Sequence, residues 1–243
     1  MDKAYKVVVS YDDWGHSSRT DWDNVGMLYS VSKYVPSDKD AESPDHTLVP
    51  DAEIVRWACE ELSREDLKLI AWNRRSYGGT KAECVRDWIE TACFGGAQSY
   101  PESLHNLMGH HAVILPVYAY VHSGVSVSTG GYSCPWDSGC IGVIWCTQEK
   151  AREEWGDDWA DKGAEYLKGE IQTLDKEYAE GYRSVMIMDA DGECVESCCG
   201  FLGWDADESG ATDLAGDDEA LADAIRKAFD NIDAEIVVDR VAV

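Results

Sequence analysis

His122, Asp137 and Asp23 are the side chains in this sequence best typed for acid–base chemistry. Two carboxylates and an imidazole gathered in a cleft could take up and return a proton near neutral pH, or help hold a metal-bound water. Their spacing along the chain does not require that they meet. Asp12, Asp13, Asp21 and Asp23 could share a hard cation with Asp137, again without a spacing that demands it. His105 with the adjacent pair His110-His111 comes nearest to a zinc set. The separations are not i,i+4 on one helix, no HExxH pattern exists, and the four-ligand cysteine spacing of a structural zinc site is missing. Cys198 and Cys199 are consecutive and would face opposite sides of a regular strand.

Other groups fall short in specific ways. Asp189-x-Asp191-Gly192 opens like a calcium loop but lacks its later ligands, including the glutamate at the twelfth position, and reads as a hairpin turn. Ser123 or Ser126 beside His122, and Cys134 or Cys140 with a distant histidine, have no nucleophile elbow around them. Gly78-Gly79 and Gly130-Gly131 lack the spacing and the lysine of a phosphate loop. Residue types and spacing alone therefore assign no catalytic set and no cofactor, and leave the His122, Asp137 and Asp23 pocket as the enzymatic alternative.

Charge is the strongest signal. The 243 residues carry a formal net charge of -26, whereas a small domain ordinarily carries a magnitude of about 2 to 8. Residues 1–150 hold 21 acids and 13 bases, but residues 151–243 hold 26 acids and 8 bases. From Ser184 to Ile225 there is no Lys or Arg at all. Such a surface repels phosphate backbones and anionic lipid, so direct nucleic-acid or membrane binding is not expected. It suits a basic partner, which it would attract and orient. The carboxylates expected to meet that partner are Glu153, Glu154, Asp157, Asp158, Asp161, Asp205, Asp207, Glu208, Asp213, Asp217, Asp218 and Glu219. No apolar run approaches the roughly 18 to 20 residues of a membrane span. The opening Met1–Ser10 reads as a strand and not as a leader, and nine cysteines predict reduced, mostly buried thiols. A cytoplasmic protein is expected.

The elements that must position these groups are legible in outline. Strands are expected at 4–10, 27–31, 112–121, 125–129, 140–146, 183–188, 193–196 and 234–238. Pro116 predicts an edge position or a bulge. Helices are expected over 51–62, after Ser63, after the Thr80/Glu83 capping box, from Pro101, over an interrupted 148–180, and over 217–231. The segment 36–50 has loop composition. Together they predict an α+β fold: one mixed or antiparallel sheet of about five to seven strands with packed helices, in a single compact domain, with a possible subdivision near 147–150.

Five segments carry a resemblance: WDNVG (22–26), VILPVYAYVHSG (113–124), SCPWDSGCIGVIW (133–145), EYLKGEIQTLDKEYAEG (165–181) and DADGECVESCCGF (189–201). They resemble a family of acidic proteins of unassigned activity from bacteriophages and mobile elements. Trp22, Asp23, Asn24, Gly26, His122, Ser123, Gly124 and Pro135 through Gly139 match its pattern. The run Cys198-Cys-Gly-Phe201 departs by one aromatic from the family's CWGF. The resemblance implies a phage or mobile-element protein in a bacterial host, with no catalytic residue to carry over. Joined to the charge, it implies an inhibitor that mimics DNA and occupies a basic, nucleic-acid-binding host defence complex. Its oligomeric state is left open.

Overall fold

The computed structural model describes residues 4–38, 51–92, 96–97 and 100–238. The predicted loop 36–50 lies largely outside them. The chain divides into two units: Met1–Asp21 with Lys176–Val243, and Trp22–Asp175. Residues 147–150 fall inside the second unit. The expected single sheet is corrected to two four-stranded sheets, and every described pairing is antiparallel.

The first unit is built on strands β1 (Tyr5–Tyr11), β6 (Tyr182–Asp189), β7 (Cys194–Leu202) and β8 (Ile236–Val238), in the order β7-β6-β1-β8. Alternation decides its faces. Val7 and Val9, with Val185 and Ile187, turn to one side and pack with helix α8 (Glu219–Phe229) through Leu221, Ala224, Ile225, Ala228 and Phe229. Asp218 caps α8 by accepting the Leu221 N–H. Arg183, opposite Tyr11 in the register, is fully buried at the end of that apolar row. Its guanidinium lies 4.1 Å from the Trp204 ring centre and 4.9 Å from that of Tyr11. The β6–β7 hairpin turns at Asp189–Gly192, where Asp189 Oδ1 accepts the N–H groups of Asp191 and Glu193. That Asx turn accounts for the calcium-like spelling.

The second unit carries β2 (Met27–Ser30), β3 (Ala112–Val121), β4 (Val125–Ser128) and β5 (Ser138–Thr147), in the order β2-β5-β3-β4. Helices α2 (Asp51–Glu61), α3 (Arg64–Tyr77), α4 (Lys81–Ala92) and α5 (Tyr100–Met108) share a core with one sheet face through Trp57, Ile89, Leu104, Ile114 and Trp145. Val143, Ile144, Trp145 and Cys146 are consecutive and all buried. A strand buried on both faces explains such an unbroken apolar run. Residues of α7 (Trp159–Glu180) supply the other cover: a side chain on Gly26 would strike both Leu167 and Ile144. Helix α6 (Gln148–Trp155) precedes α7, and a 3₁₀ turn at Gly156–Asp158 makes the predicted interruption. Pro116 lies beyond the reach of β4, whose pairing starts at Tyr118, and the β3–β5 register shifts between Val117 and Tyr118.

Candidate metal centre

The residues expected to form an Asp/His pocket are only partly assembled. His122 Nδ1 lies 3.4 Å from Asp137 Oδ2, but the two side chains are 67% and 39% exposed. Asp23 is exposed and makes no hydrogen bond or ion pair with either, among the described residues. The His105/His110/His111 set is dispersed. His105 Nδ1 meets the Ile114 carbonyl, His111 lies between Glu60 and Glu61, and His110 is exposed. Nor are the thiols mostly buried as expected. Cys84 and Cys146 are buried, whereas Cys59, Cys194, Cys198 and Cys199 are exposed, and all cysteines among the described residues are free.

A different group converges in the first unit: Asp12, His16 and Cys199, whose ligand atoms all lie within 4.8 Å of one another. Local chemistry places each of them. Asp12 follows β1 and extends its ladder by donating its N–H to the Tyr182 carbonyl at 3.0 Å. Its side chain is 0% exposed. Oδ1 accepts the Trp14 N–H at 3.1 Å and Oδ2 accepts the Gly200 N–H at 2.8 Å. Two charge-assisted bonds thus orient a buried carboxylate. The chain then reverses through Gly15, whose φ of 78° suits a glycine, to bring His16 back over Asp12.

His16 is held from three sides. Its ring packs on Tyr182 with centroids 5.7 Å apart. Nδ1 lies 3.2 Å from Asp21 Oδ2. Nε2 is buried, lies 3.4 Å from Asp12 Oδ2, and lacks the alignment of a hydrogen bond. Asp21 closes the short helix α1 (Ser18–Asp21), and its carboxyl is held below the usual range by the Ser17 amide first, then the Thr20 hydroxyl and the His16 ring. Ser18 anchors α1 by donating both its N–H and its hydroxyl to Glu177 Oε2, each at 2.7 Å.

Cys199 arrives through a bulge. Arg183 pairs with Phe201 and Val185 with Cys198, so Cys199 and Gly200 together oppose Ser184. One extra residue redirects the strand's side chains, and Gly200 supplies the φ of 84° that this needs. A side chain on Gly200 would contact the His16 ring at 3.8 Å.

The donor set is one carboxylate oxygen, one imidazole nitrogen and one thiol. Mixed O, N and S ligation suits zinc, which takes all three at about 2.0–2.3 Å in a tetrahedron. Two such ligand atoms stand roughly 3.3–3.6 Å apart at those bond lengths, and Nε2 and Oδ2 are already 3.4 Å apart. Asp21 Oδ2, 3.2 Å from Nδ1, stands where the carboxylate of a carboxylate–histidine–metal pairing would. No protein-family model, curated protein or solved structure matches the chain.

The segments that carried the resemblance have structural partners. Glu170 of LKGE accepts the Val25 and Gly26 N–H groups of WDNVG at 2.8 and 3.0 Å. Asp137 of CPWDSG accepts the Val121 N–H through its carbonyl and faces His122. Asp175 accepts from the Ser126 hydroxyl and the Val127 N–H, both at 2.8 Å.

The acidic residues divide by role. Asp205 accepts the N–H groups of Asp207 and Glu208, Asp207 binds Arg226, and Glu208 pairs with Lys176. Asp158 pairs with Lys162, and Asp218 is the α8 cap. By contrast Glu153, Glu154, Asp157, Asp161, Asp213, Asp217 and Glu219 are exposed and form no ion pair among the described residues.

Proposed function

We propose that the protein is a zinc-dependent enzyme of hydrolytic type, with Asp12, His16 and Cys199 as its protein ligands. The observation that carries this reading is the buried, unpartnered Nε2 of His16 beside Asp12 Oδ2, with Nδ1 engaged by Asp21. An Nδ1–H donated to Asp21 leaves the Nε2 lone pair free for a metal ion. Three protein ligands leave one tetrahedral position for water, whose pKa a bound zinc lowers to about 7. The exposed Cys199 puts that position within reach of solvent.

Titration calorimetry tests the reading. One equivalent of zinc should bind, His16→Ala and Cys199→Ser should abolish tight binding, and Asp21→Asn should weaken it by about 10- to 100-fold. With zinc loaded, hydrolysis across a panel of ester, amide and phosphoester substrates should depend on the same residues. Wild-type protein without stoichiometric zinc uptake would sink the proposal.

A second reading keeps the acidic surface: a phage or mobile-element protein that inhibits a basic host defence complex by DNA mimicry. It is favoured by the exposed carboxylates that do no local work: Glu153, Glu154, Asp157 and Asp161 in one unit, and Asp213, Asp217 and Glu219 in the other. Pull-down from host lysate should then recover a nucleic-acid-binding protein, with less recovered as salt rises. Recovery of none at low or physiological salt would oppose it.

A further inference from the structure

The helical part of the second unit contains a cavity of about 490 Å³ whose walls contrast with the rest of the molecule. It is lined by Leu67, Ile70 and Ala71, by Cys59, and by Arg74, Arg75 and Lys81. The volume falls within the roughly 300–1,000 Å³ of small-molecule sites, which pair apolar walls with a few placed polar groups. In a chain of 47 acids and 21 bases, this lining holds three cations and no carboxylate.

The sequence explains how the cations meet. Leu67, Ile70, Ala71 and Arg74 recur at three- and four-residue steps and so share one stripe of α3. Ala71 is small and leaves room beside the stripe. The chain then turns through Gly78 and Gly79, whose φ values are 87° and 90°. Thr80 and Glu83 form a capping box that starts α4, with the Glu83 N–H donating to Thr80 Oγ1 at 3.1 Å. Lys81, the first residue of α4, reaches back to donate to Cys59 Sγ at 3.2 Å. Arg74 and Arg75 form no ion pair among the described residues. Acids close in sequence to the lining have partners of their own: Glu83 accepts the Thr80 N–H, Asp66 accepts the Ser63 hydroxyl, and Glu60 and Glu61 face His111.

We infer that this cavity binds an amphiphilic anion, its apolar body against Leu67, Ile70 and Ala71 and its anionic head among Arg74, Arg75 and Lys81. Charge complementarity selects the head. Three like charges stand together with no acid in the lining, and a carboxylate or phosphate would relieve their repulsion while accepting the guanidinium N–H groups. The site is independent of the zinc centre, so either proposal can fail without the other.

Fluorescence of anilinonaphthalene sulfonate, an amphiphilic anion that brightens in apolar sites, supplies the test. The full-length protein should bind it saturably, and dodecanoate or dodecyl phosphate should displace it. Whichever of the two displaces better identifies the head group. Dodecanol, which has the same tail and no charge, should compete at least about tenfold less well. Arg74→Glu with Arg75→Glu should weaken probe binding tenfold or more, again on the scale of one charged contact. Both side chains are exposed, so the melting curve should stay close to wild type. Should that variant misfold, Cys59 in the wild-type protein gives an independent readout. A negatively charged methanethiosulfonate should modify it faster than a positively charged one, and dodecanoate or dodecyl phosphate should protect it. Undiminished probe binding in the charge-reversed protein, equal displacement by dodecanol, or unprotected Cys59 would overturn the inference.

Discussion

Glu170 shows how much one buried carboxylate can hold. It is 8% exposed, and one of its oxygens satisfies two backbone N–H groups that lie 145 and 144 residues away in sequence. Removing the acceptor takes this bond from both amides, at about 1–3 kcal/mol for a buried hydrogen-bonding group that loses its partner. Glu170→Ala should therefore lower unfolding free energy by roughly 2–4 kcal/mol in urea titrations, and Glu170→Gln by less, because it keeps an oxygen. Cys146 gives a pH signature. Burial first, with Glu170 adding and Lys150 opposing, raises its thiol from an ordinary 9.0 to about 11. The folded state then holds this proton more tightly than the unfolded chain does. Its stabilisation is intact below about pH 9 and is lost as pH climbs toward 11. Cys146→Ala should flatten that alkaline loss in melting curves. In the native protein at mildly alkaline pH, iodoacetamide should label Cys194 and Cys198 and spare Cys146.

At the scale of elements, local signals carried far. The Ser63 cap, the Thr80/Glu83 box and the α8 stripe depend on residues three or four apart, and each stands where its spelling places it. The Asp12, His16 and Cys199 group had no such local signature. Asp12 and His16 are four apart but lie in a loop, where that interval has no fixed geometry, and Cys199 enters only through the β7 bulge. A regular strand would separate Cys198 from Cys199 by face but could not say which one reaches His16. The Asp12-x-x-x-His16 spacing was the sole available hint. Nor could the sequence reveal that β1 joins β6, β7 and β8 in a separate sheet, because that pairing closes almost the whole chain. The bulge itself is testable. Gly200→Val forces a β-branched residue to a φ of 84° and places carbon against the His16 ring. It should cost about 1–3 kcal/mol in thermal or urea unfolding and weaken zinc binding more than Gly192→Val in the hairpin turn. Equal zinc affinity in the two variants would show that the bulge does not position the centre.

Over the whole molecule, the charge of -26 acts on stability as well as on partners. Like charges at this density oppose the compact state, and salt screens them. Raising ionic strength from about 0.01 to 0.15 M shortens the screening length from roughly 30 to 8 Å. The melting temperature should rise by a few degrees, as about 1 kcal/mol of relieved repulsion would give in a chain of this size. A fall with added sodium chloride would contradict this account of the acidity. Among the described residues, no helix is long and apolar enough to cross a membrane.

The proposed enzyme requires that Asp12, His16 and Cys199 hold one metal ion. Cobalt absorption spectroscopy asks this directly, since cobalt replaces zinc and a thiolate bound to it gives a charge-transfer band in the near ultraviolet. Wild-type protein and Cys198→Ser should both show that band at one equivalent of cobalt, with tetrahedral bands in the visible, while Cys199→Ser should lose the thiolate band. A band that survives in Cys199→Ser, or none in the wild type, would contradict it.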